Sequence, residues 1–221
     1  RWNAWYAGES NEKPSRDLRL ETLSEAIKGN IQIHNHCYRA DEMMQMINLS
    51  REFGFKIASF HHAVESYKIA DTLAKEGICS SMWSDWWGFK LEAYDGIKEN
   101  IAMVEHAGAC SIVYSDSSVG IQHLNQDAAK AMASGRKAGI DISPAVAIQW
   151  ITLNPAKSMG IDHLTGTIEA GKAADMVLWD GNPFSVYTKA RQVFIDGIKV
   201  YDRDDPAYQA KSDYELGLRG E

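Results

Sequence analysis

The chain has 221 residues and a net charge of −7, with 45% hydrophobic and 24% charged residues. These proportions are those of a globular chain with a core, and they exclude a largely disordered protein. The acidic balance, without a block of Lys and Arg, argues against nucleic-acid binding through phosphate contacts. Apolar runs are too short to predict a membrane span. Cys37, Cys79 and Cys110 are odd in number and widely spaced, and they predict neither a disulfide framework nor a cysteine zinc site.

The chain from residue 31 to residue 161 alternates between short apolar runs and segments of helical periodicity. Before it, the polar segment 1–30 contains one predicted helix over Asp17–Lys28. The predicted strands are Ile31–His34, Lys56–His61, Ile78–Met82 and Ala109–Tyr114. The predicted helices are Ala40–Phe53, Tyr67–Lys75 and Asp95–His106, followed by mostly helical chain over residues 125–160. Such alternation predicts βαβ units and an α/β fold with a parallel sheet.

The pattern changes after residue 162, where short predicted strands follow one another. These strands are Gly166–Ile168, Asp175–Trp179, Gln192–Ile195 and Ile198–Tyr201. Asp196-Gly197 separates the last two and favours a type I′ hairpin. We therefore predict a lead-in segment over 1–30, an α/β unit over 31–161, a β segment over 162–203 and a surface tail over 204–221.

Histidine and aspartate side chains follow several of the predicted strands. His34 and His36 are two residues apart on a strand and so point to the same side of it. His61 and His62 are adjacent and face opposite ways, so we expect at most one of them in a site and the other to be structural. Asp116 follows the fourth strand, where a helix N-cap is the alternative role. Because the carboxyl ends of parallel strands meet at one edge, two imidazoles and a carboxylate there suit zinc or a similar divalent ion.

The segments around these positions resemble the amidohydrolase superfamily, and within it the imidazolonepropionase-like branch. The resemblance is carried by Ile33–Glu42 (IHNHCYRADE), His62–Asp71 (HAVESYKIAD), Ser84–Trp87 (SDWW) and Ser115–Ser117 (SDS). Further along the chain, it is carried by Thr152–Lys157 (TLNPAK), Gly166–Asp175 (GTIEAGKAAD) and Asp196-Gly197. The order and spacing of these motifs extend the resemblance over residues 14–203.

The resemblance implies a (β/α)8 barrel that holds one or two divalent metal ions, with zinc the most suitable, at the carboxyl ends of its strands. By position, His34 matches the family's strand-5 ligand, His62 its strand-6 histidine and Asp116 its strand-8 aspartate. These three residues are therefore the expected metal ligands. Asp116 is also expected to move a proton, and His62 either binds metal or polarises the substrate carbonyl. The expected reaction is hydrolysis of an amide or cyclic-amide C–N bond of a small molecule by a metal-activated water.

Five residues close to these positions are candidates for substrate contacts: His36, Tyr38, Arg39, Tyr67 and Lys68. Arg39 and Lys68 would suit a substrate carboxylate, and exposed charges at helix starts are the alternative. The aromatic cluster Trp83–Trp87 lines a pocket mouth, packs as a buried loop, or forms a surface that packs against the missing half of the barrel.

The family's strand-1 His-x-His pair and its strand-4 bridging residue are absent from the residues before His34. None of those 33 residues is a histidine, and the chain begins with Arg1 rather than Met. We therefore expect the second half of a barrel over 31–161 and part of a small β-domain over 162–203. The intact protein is then a hydrolase. The alternative is a non-catalytic half-barrel that binds no metal and is stabilised by self-association or by pairing with the missing N-terminal half.

Overall fold

The computed structural model describes residues 1–208, and its centre is a four-stranded parallel sheet. The strands are β1 (Ile33–Cys37), β2 (Ile57–His62), β3 (Cys79–Met82) and β4 (Cys110–Val113), and they lie side by side in chain order. The helices that connect them are α3 (Ala40–Phe53), α4 (Ala70–Glu76) and α5 (Asn100–His106). The prediction of βαβ units is confirmed. The boundaries differ most at α5, which begins five residues later than predicted, whereas β1 begins two residues later and ends three residues later.

Helix α3 shows how the local sequence builds these units. It ends at Gly54, whose φ of 75° is the left-handed conformation that glycine adopts without steric penalty. Met43, Ile47 and Ser50 are its buried residues, and their spacing of three and four places them on one face. That face packs on the sheet, so the periodicity and the closing glycine together set the helix.

Alternation along the strands gives the sheet two different faces. One face carries Cys37, Phe60, Met82 and Val113, which are buried in the main core with the helices. The opposite face is mostly polar. In register across the four strands it carries His34, His36, Ser59, His61, Cys79, Ser81 and Cys110.

The two outer strands of the sheet differ in whether their outer edges form hydrogen bonds with other parts of the chain. After β4 the chain forms α6 (Leu124–Lys137), α7 (Pro144–Gln149) and α8 (Leu153–Ser158). Val113 of β4 donates its backbone N–H to the carbonyl of Trp150 (3.1 Å), and Asn154 Nδ2 donates to the carbonyl of Ser111 (2.8 Å). The outer edge of β4 is therefore hydrogen-bonded to the chain that follows α7 and begins α8. β1 is the edge strand on the other side, and the structure pairs it only with β2 within residues 1–208.

A disulfide joins Cys79 of β3 to Cys110 of β4, so the prediction of no disulfide was wrong. The two cysteines are 31 residues apart in the sequence but lie directly opposite each other in the sheet register, with their Cα atoms 4.4 Å apart. Their proximity is therefore a property of strand pairing. Cys37 is free and buried, and its burial raises the pKa of its thiol to about 12.

The second sheet is antiparallel and contains β5 (Met176–Trp179), β6 (Ala190–Ile195) and β7 (Ile198–Asp202). Asp196 and Gly197 have φ angles of 49° and 77°, which confirms the predicted type I′ hairpin. The strand predicted at Gly166–Ile168 is wrong. Gly166 has a φ of 95° and turns the chain against α8, where an added Cβ would meet the Ala156 side chain at 2.8 Å. Most of the predicted tail, residues 209–221, lies outside the described residues.

The N-terminal segment contains α1 (Trp2–Tyr6) and α2 (Leu18–Ile27). Asp17 caps α2 by accepting hydrogen bonds from the backbone N–H groups of Arg19 and Leu20. No residue of α2 is buried, and four of its apolar side chains are exposed, namely those of Leu18, Leu20, Leu23 and Ile27. Within residues 1–208, no helix has both the length and the apolar character that a membrane crossing requires.

Candidate functional site

Two pairs of histidines connect β1 and β2 at the carboxyl edge of the parallel sheet. Nδ1 of His34 lies 3.0 Å from Nε2 of His61, and Nδ1 of His36 lies 2.8 Å from Nε2 of His62. Each pair shares one hydrogen bond, whose direction depends on the tautomer of the rings. The two contacts bring four imidazoles from neighbouring strands into one cluster.

The backbone at the end of β2 explains why both of its histidines reach β1. In the sheet register His62 is opposite Cys37, on the face that packs against the helices. However, His62 has a φ of 68° and Ala63 a φ of 40°, so the chain turns sharply there and the His62 ring comes to lie beside His36. The expectation that at most one of the two histidines enters the site was wrong, because alternation ends where the backbone becomes left-handed.

His62 is enclosed by aromatic rings. The Tyr38 ring stacks on it with a centroid distance of 4.5 Å and an interplanar angle of 15°, and the Trp83 ring lies 4.8 Å away. Only 6% of the side chain is exposed. Burial, with a further contribution from nearby His36, lowers the pKa of His62 to about 4. The imidazole is therefore neutral near pH 7, the form in which a histidine binds a metal ion or accepts a hydrogen bond.

Asp116 faces His62 from the end of β4. Its Oδ2 atom lies 3.9 Å from His62 Nδ1, which is too far for a direct hydrogen bond. His62 Nδ1 has no hydrogen-bond partner, and among the described residues it is the only buried side-chain nitrogen or oxygen of this kind. Asp116 has a left-handed backbone, with φ at 52°, and half of its side chain is exposed. The nearby helical turn uses Ser117 instead, whose Oγ accepts from the Gly120 N–H.

The segment that carries Asp116 is tied to the loop after β3. Trp83 Nε1 donates to the carbonyl of Ser115 at 3.1 Å, which links the end of β3 to the end of β4. Burial and then the Asp116 carboxylate hold the pKa of Tyr114 well above its usual range. Asp116 therefore lies in a fixed loop beside a neutral tyrosine hydroxyl.

Glu65 is a buried residue of this site that sequence reasoning missed. Its Oε2 atom accepts a hydrogen bond from the Ala40 N–H, the first N–H of α3, at 2.9 Å. Its backbone N–H donates to the carbonyl of Tyr38 at 3.0 Å. Glu65 thus joins the loop after β2 to the loop after β1. A carboxylate at a helix start is favourable, but nothing in the sequence indicates a cap supplied from 25 residues away.

The predicted substrate contacts divide into two groups. His36 and Tyr38 touch His62, and Lys90 lies 3.9 Å above the Tyr38 ring while donating to its hydroxyl at 2.7 Å. The other three residues bind protein groups. Arg39 pairs with Asp41 (3.0 Å), Lys68 with Asp95 (2.8 Å) and Glu65 (3.1 Å), and Tyr67 Oη donates to the Asp95 carbonyl (3.1 Å).

The aromatic loop after β3 is buried at its first tryptophan and exposed at the next two. Trp83 is 8% exposed and packs with Val64 and Ala93, whereas Trp86 and Trp87 are 45% and 48% exposed. A small pocket opens between this loop and the histidine cluster. Its lining includes His62, Trp83, Asp85, Trp86, Trp87 and Asn100. Trp83 is therefore both buried and part of the pocket wall, whereas Trp86 and Trp87 line the pocket from the exposed part of the loop.

The predicted metal ligands are not brought together as one set. His62 and Asp116 face each other, while His34 Nδ1 is bonded to His61. In residues 1–208, no group of three or more His, Cys, Asp or Glu side chains is arranged to hold a metal ion. The donor chemistry fits a divalent cation at His62 and Asp116, since one is a neutral buried imidazole with an unpaired nitrogen and the other a carboxylate. The number of donors does not fit a zinc site, because zinc sites use three or four protein ligands and only these two residues face each other.

A parallel sheet with imidazoles and a carboxylate at its carboxyl edge defines an α/β protein with a candidate ligand site at that edge. The chain belongs to the Amidohydrolase family, whose sequence model matches residues 15–211. It is 32% identical over 209 residues to "Amidohydrolase tasK" of Hapsidospora irregularis. It is also 37% identical over 59 residues to an imidazolonepropionase of Shewanella frigidimarina. The crystal structure of an amidohydrolase from Thermotoga maritima superposes with a TM-score of 0.80 at 30% identity.

The chain spans only part of these relatives. The tasK alignment includes 92% of this chain but 20% of tasK, and the imidazolonepropionase alignment 27% of this chain and 13% of that protein. The Thermotoga superposition includes 91% of this chain and 51% of that one. Nearly all of this chain therefore has a counterpart in about half of that solved structure.

Proposed function

We propose that this chain is the second half of a (β/α)8 barrel that hydrolyses amide or cyclic-amide C–N bonds. The observation that carries the proposal is the convergence of His62 and Asp116 from the ends of β2 and β4, within a chain of the Amidohydrolase family. The half-barrel description is supported by the four parallel strands in chain order and by the superposition on half of the Thermotoga protein.

A divalent cation, with zinc the most suitable, would be held by His62 and Asp116. Family members generally use such ions, and the unpaired nitrogen of His62 is available to one. His34 is the third proposed ligand, and it would exchange its contact with His61 for the ion. When bound, the cation supplies a Lewis acid that polarises the scissile carbonyl and lowers the pKa of water.

Asp116 is the proposed proton carrier. Its half-exposed carboxylate would accept a proton from the attacking water as the C–O bond forms, and would then give it to the leaving nitrogen as the C–N bond breaks. General acid–base catalysis of this kind typically contributes about 10²–10⁴-fold. His62 would take part through Nδ1 as a ligand of the cation, and Tyr38 and Trp83 hold its ring in place.

The proposed substrate contacts are His36 and Tyr38, which lie against His62. Arg39, Tyr67 and Lys68 would have to leave protein partners to bind a substrate, and we assign them secondary roles as contacts at the rim. The exposed Trp86 and Trp87 would line the mouth of the pocket.

The decisive experiment compares Asp116→Asn with wild type in the zinc-loaded, full-length gene product. Release of amine or carboxylate is measured over a panel of N-acyl amino acids and five- and six-membered cyclic amides. We expect wild-type turnover on at least one class and a loss of at least about 100-fold in Asp116→Asn. Asp141→Asn, at an exposed aspartate, is the matched control. Wild-type turnover in a folded Asp116→Asn variant, or no turnover by wild type on the panel, would contradict the proposal.

A non-catalytic half-barrel is the second candidate, because no three-donor metal cluster is present in the residues described. Metal analysis distinguishes the two. A catalytic protein is expected to hold about one zinc per chain after purification in its presence, and His62→Gln to lose it. Stable zinc binding that is unchanged in His62→Gln would instead indicate a cation elsewhere in the protein.

We further propose that β1 and α2 form the contact surface for the other half of the barrel. β1 is an edge strand of a parallel sheet, a type of sheet that is normally covered, and α2 exposes Leu20 and Leu23. Without that other half, the 221-residue chain is expected to self-associate on light scattering, and Leu20→Glu with Leu23→Glu to reduce the mass toward 24.6 kDa. A monodisperse species of 24.6 kDa for the unmodified chain would oppose this proposal.

A further inference from the structure

Asn100, the first residue of α5, makes three hydrogen bonds to one short backbone segment. Its Nδ2 donates to the carbonyls of Ala63 and Val64, both at 3.0 Å, and its Oδ1 accepts from the N–H of Tyr67 at 2.9 Å. The residue is 3% exposed. All three partners belong to the loop that begins at His62, so the amide group of Asn100 is used entirely to hold this loop.

That loop needs to be held because its first two residues are left-handed. His62 and Ala63 have φ angles of 68° and 40°. A left-handed conformation is unfavourable for a residue with a Cβ atom, and it persists only where surrounding contacts impose it. Hydrogen bonds from the Ala63 and Glu65 N–H groups to the carbonyls of Cys37 and Tyr38 restrain the same loop from the side of β1.

Asn100 is itself fixed in the core. Ile101, Ala102 and Val104, which follow it in α5, are completely buried. A side chain at the start of such a helix has little freedom, so its three bonds give the loop a rigid support. The loop is thus clamped between β1 on one side and α5 on the other.

We propose that Asn100 is a positioning residue for His62. By clamping the left-handed turn, it places the His62 ring between Tyr38 and Trp83 and directs Nδ1 toward Asp116. Without the clamp the turn relaxes to a conformation of lower strain, and the ring leaves that position. The importance of this for catalysis rests on the proposed function, whereas the positioning itself does not.

The test is an NMR measurement of the His62 ring in the full-length gene product. Ring resonances are recorded by long-range ¹H–¹⁵N correlation and assigned with His62→Gln. In Asn100→Ala we expect the His62 signals to shift or broaden. The matched control is Asn125→Ala, another buried asparagine, whose Nδ2 donates to the Pro183 carbonyl. We expect the control to lose stability while its His62 signals stay in place.

Unchanged His62 signals in folded Asn100→Ala would overturn the proposal, and so would an equal change in Asn125→Ala. If Asn100→Ala does not fold, Asn100→Asp is measured in the same way. It keeps the acceptor for the Tyr67 N–H and replaces the two donated bonds with repulsion between a carboxylate oxygen and the carbonyls of Ala63 and Val64. In the full-length protein, zinc affinity is expected to fall about 10- to 100-fold in Asn100→Ala. If the His62 signals move and neither zinc binding nor hydrolysis is found in wild type, the positioning role stands and the proposed function fails.

Discussion

His62 and Asp116 face each other across 3.9 Å, and both have a left-handed backbone although neither is a glycine. His62 is the last residue of β2 and Asp116 follows β4, so the pair spans the carboxyl edge of the sheet. Non-glycine residues in this conformation concentrate at functional sites, where surrounding structure imposes it. The backbone and the side chain of each residue can therefore be tested separately.

Asp116 is suited to such a test because its side chain is half exposed. Asp116→Asn is expected to leave stability within about 0.5 kcal/mol of wild type, since asparagine tolerates the left-handed region. Asp116→Val is expected to lose about 1–2 kcal/mol, because a β-branched residue does not. Urea unfolding gives the free energies, with Asp141→Asn and Asp141→Val as the exposed control pair. Equal stability of the two Asp116 variants would show that the backbone there is not strained.

The disulfide predicts the number of reactive thiols. Denatured protein without reductant is expected to show one reactive thiol, that of Cys37. After reduction, the denatured protein is expected to show three reactive thiols. Native protein is expected to react very slowly with a disulfide reagent, because Cys37 is buried and burial raises its pKa to about 12. Cys37→Ser, as the control, should show no thiol without reductant. Three thiols in denatured, unreduced protein would contradict the Cys79–Cys110 bond.

Removing that bond should also weaken the fold. The double variant Cys79→Ala, Cys110→Ala opens a covalent loop between two strands 31 residues apart and is expected to lose about 2–4 kcal/mol of unfolding free energy. The comparison is made under non-reducing conditions. Under strong reduction the two proteins should converge, and a difference that persists unchanged would mean that the loss comes from the side chains.

The hairpin between β6 and β7 depends on the backbone of Gly197. Its φ is 77°, and an added Cβ would meet only Ala174, at an ordinary contact distance of 3.9 Å. Gly197→Ala should therefore lose about 1–2 kcal/mol through backbone strain rather than through collision. Asp196→Asn, which produces the Asn-Gly pair that this turn type favours, should be close to neutral. Thermal and urea unfolding measure both, and a neutral Gly197→Ala would refute the turn assignment.

Asp202 at the end of β7 should make stability depend on acid pH. Hydrogen bonds from Lys199 Nζ (2.7 Å) and Gln192 Nε2 (2.8 Å) lower its pKa to about 2. A carboxyl whose pKa is lower in the folded than in the unfolded state stabilises the protein above the unfolded value. That contribution is lost as the pH falls from about 4 to about 2. The difference in unfolding free energy between wild type and Asp202→Asn should therefore shrink over that range, with Asp141→Asn as background. A constant difference would contradict this origin.

Much of the architecture could be predicted from local sequence. Periodicity and closing glycines predicted α3 and the alternation of strands and helices, and Asp196-Gly197 predicted the hairpin. Local pattern failed at Gly166–Ile168, because the apolar and threonine residues there resemble a strand while the φ of Gly166 turns the chain. Prediction from local sequence was correct for elements whose structure depends on residues only a few positions apart.

The candidate site was predicted only in part. His62 and Asp116 lie at or just after the ends of their strands, as expected, whereas His34 is the second residue of β1 and not its last. His36 and Tyr38, expected as substrate contacts, lie against His62. The contact of His61 with His34 was missed because it depends on the register between β1 and β2. The contact of His62 with His36 was missed because the alternation rule does not anticipate a left-handed turn at His62. Glu65 and Asn100 were missed because their partners lie 25 or more residues away.

The sequence by itself determined the order of elements, the family and the residue types available at the carboxyl edge of the sheet. These depend on spacing along the chain, which periodicity and motifs express directly. Only the tertiary structure decided which imidazoles meet, that Cys79 and Cys110 are bonded, and that His62 is held toward Asp116. Those contacts depend on strand register and on two left-handed residues, whose conformation is imposed by groups brought close only when the chain folds.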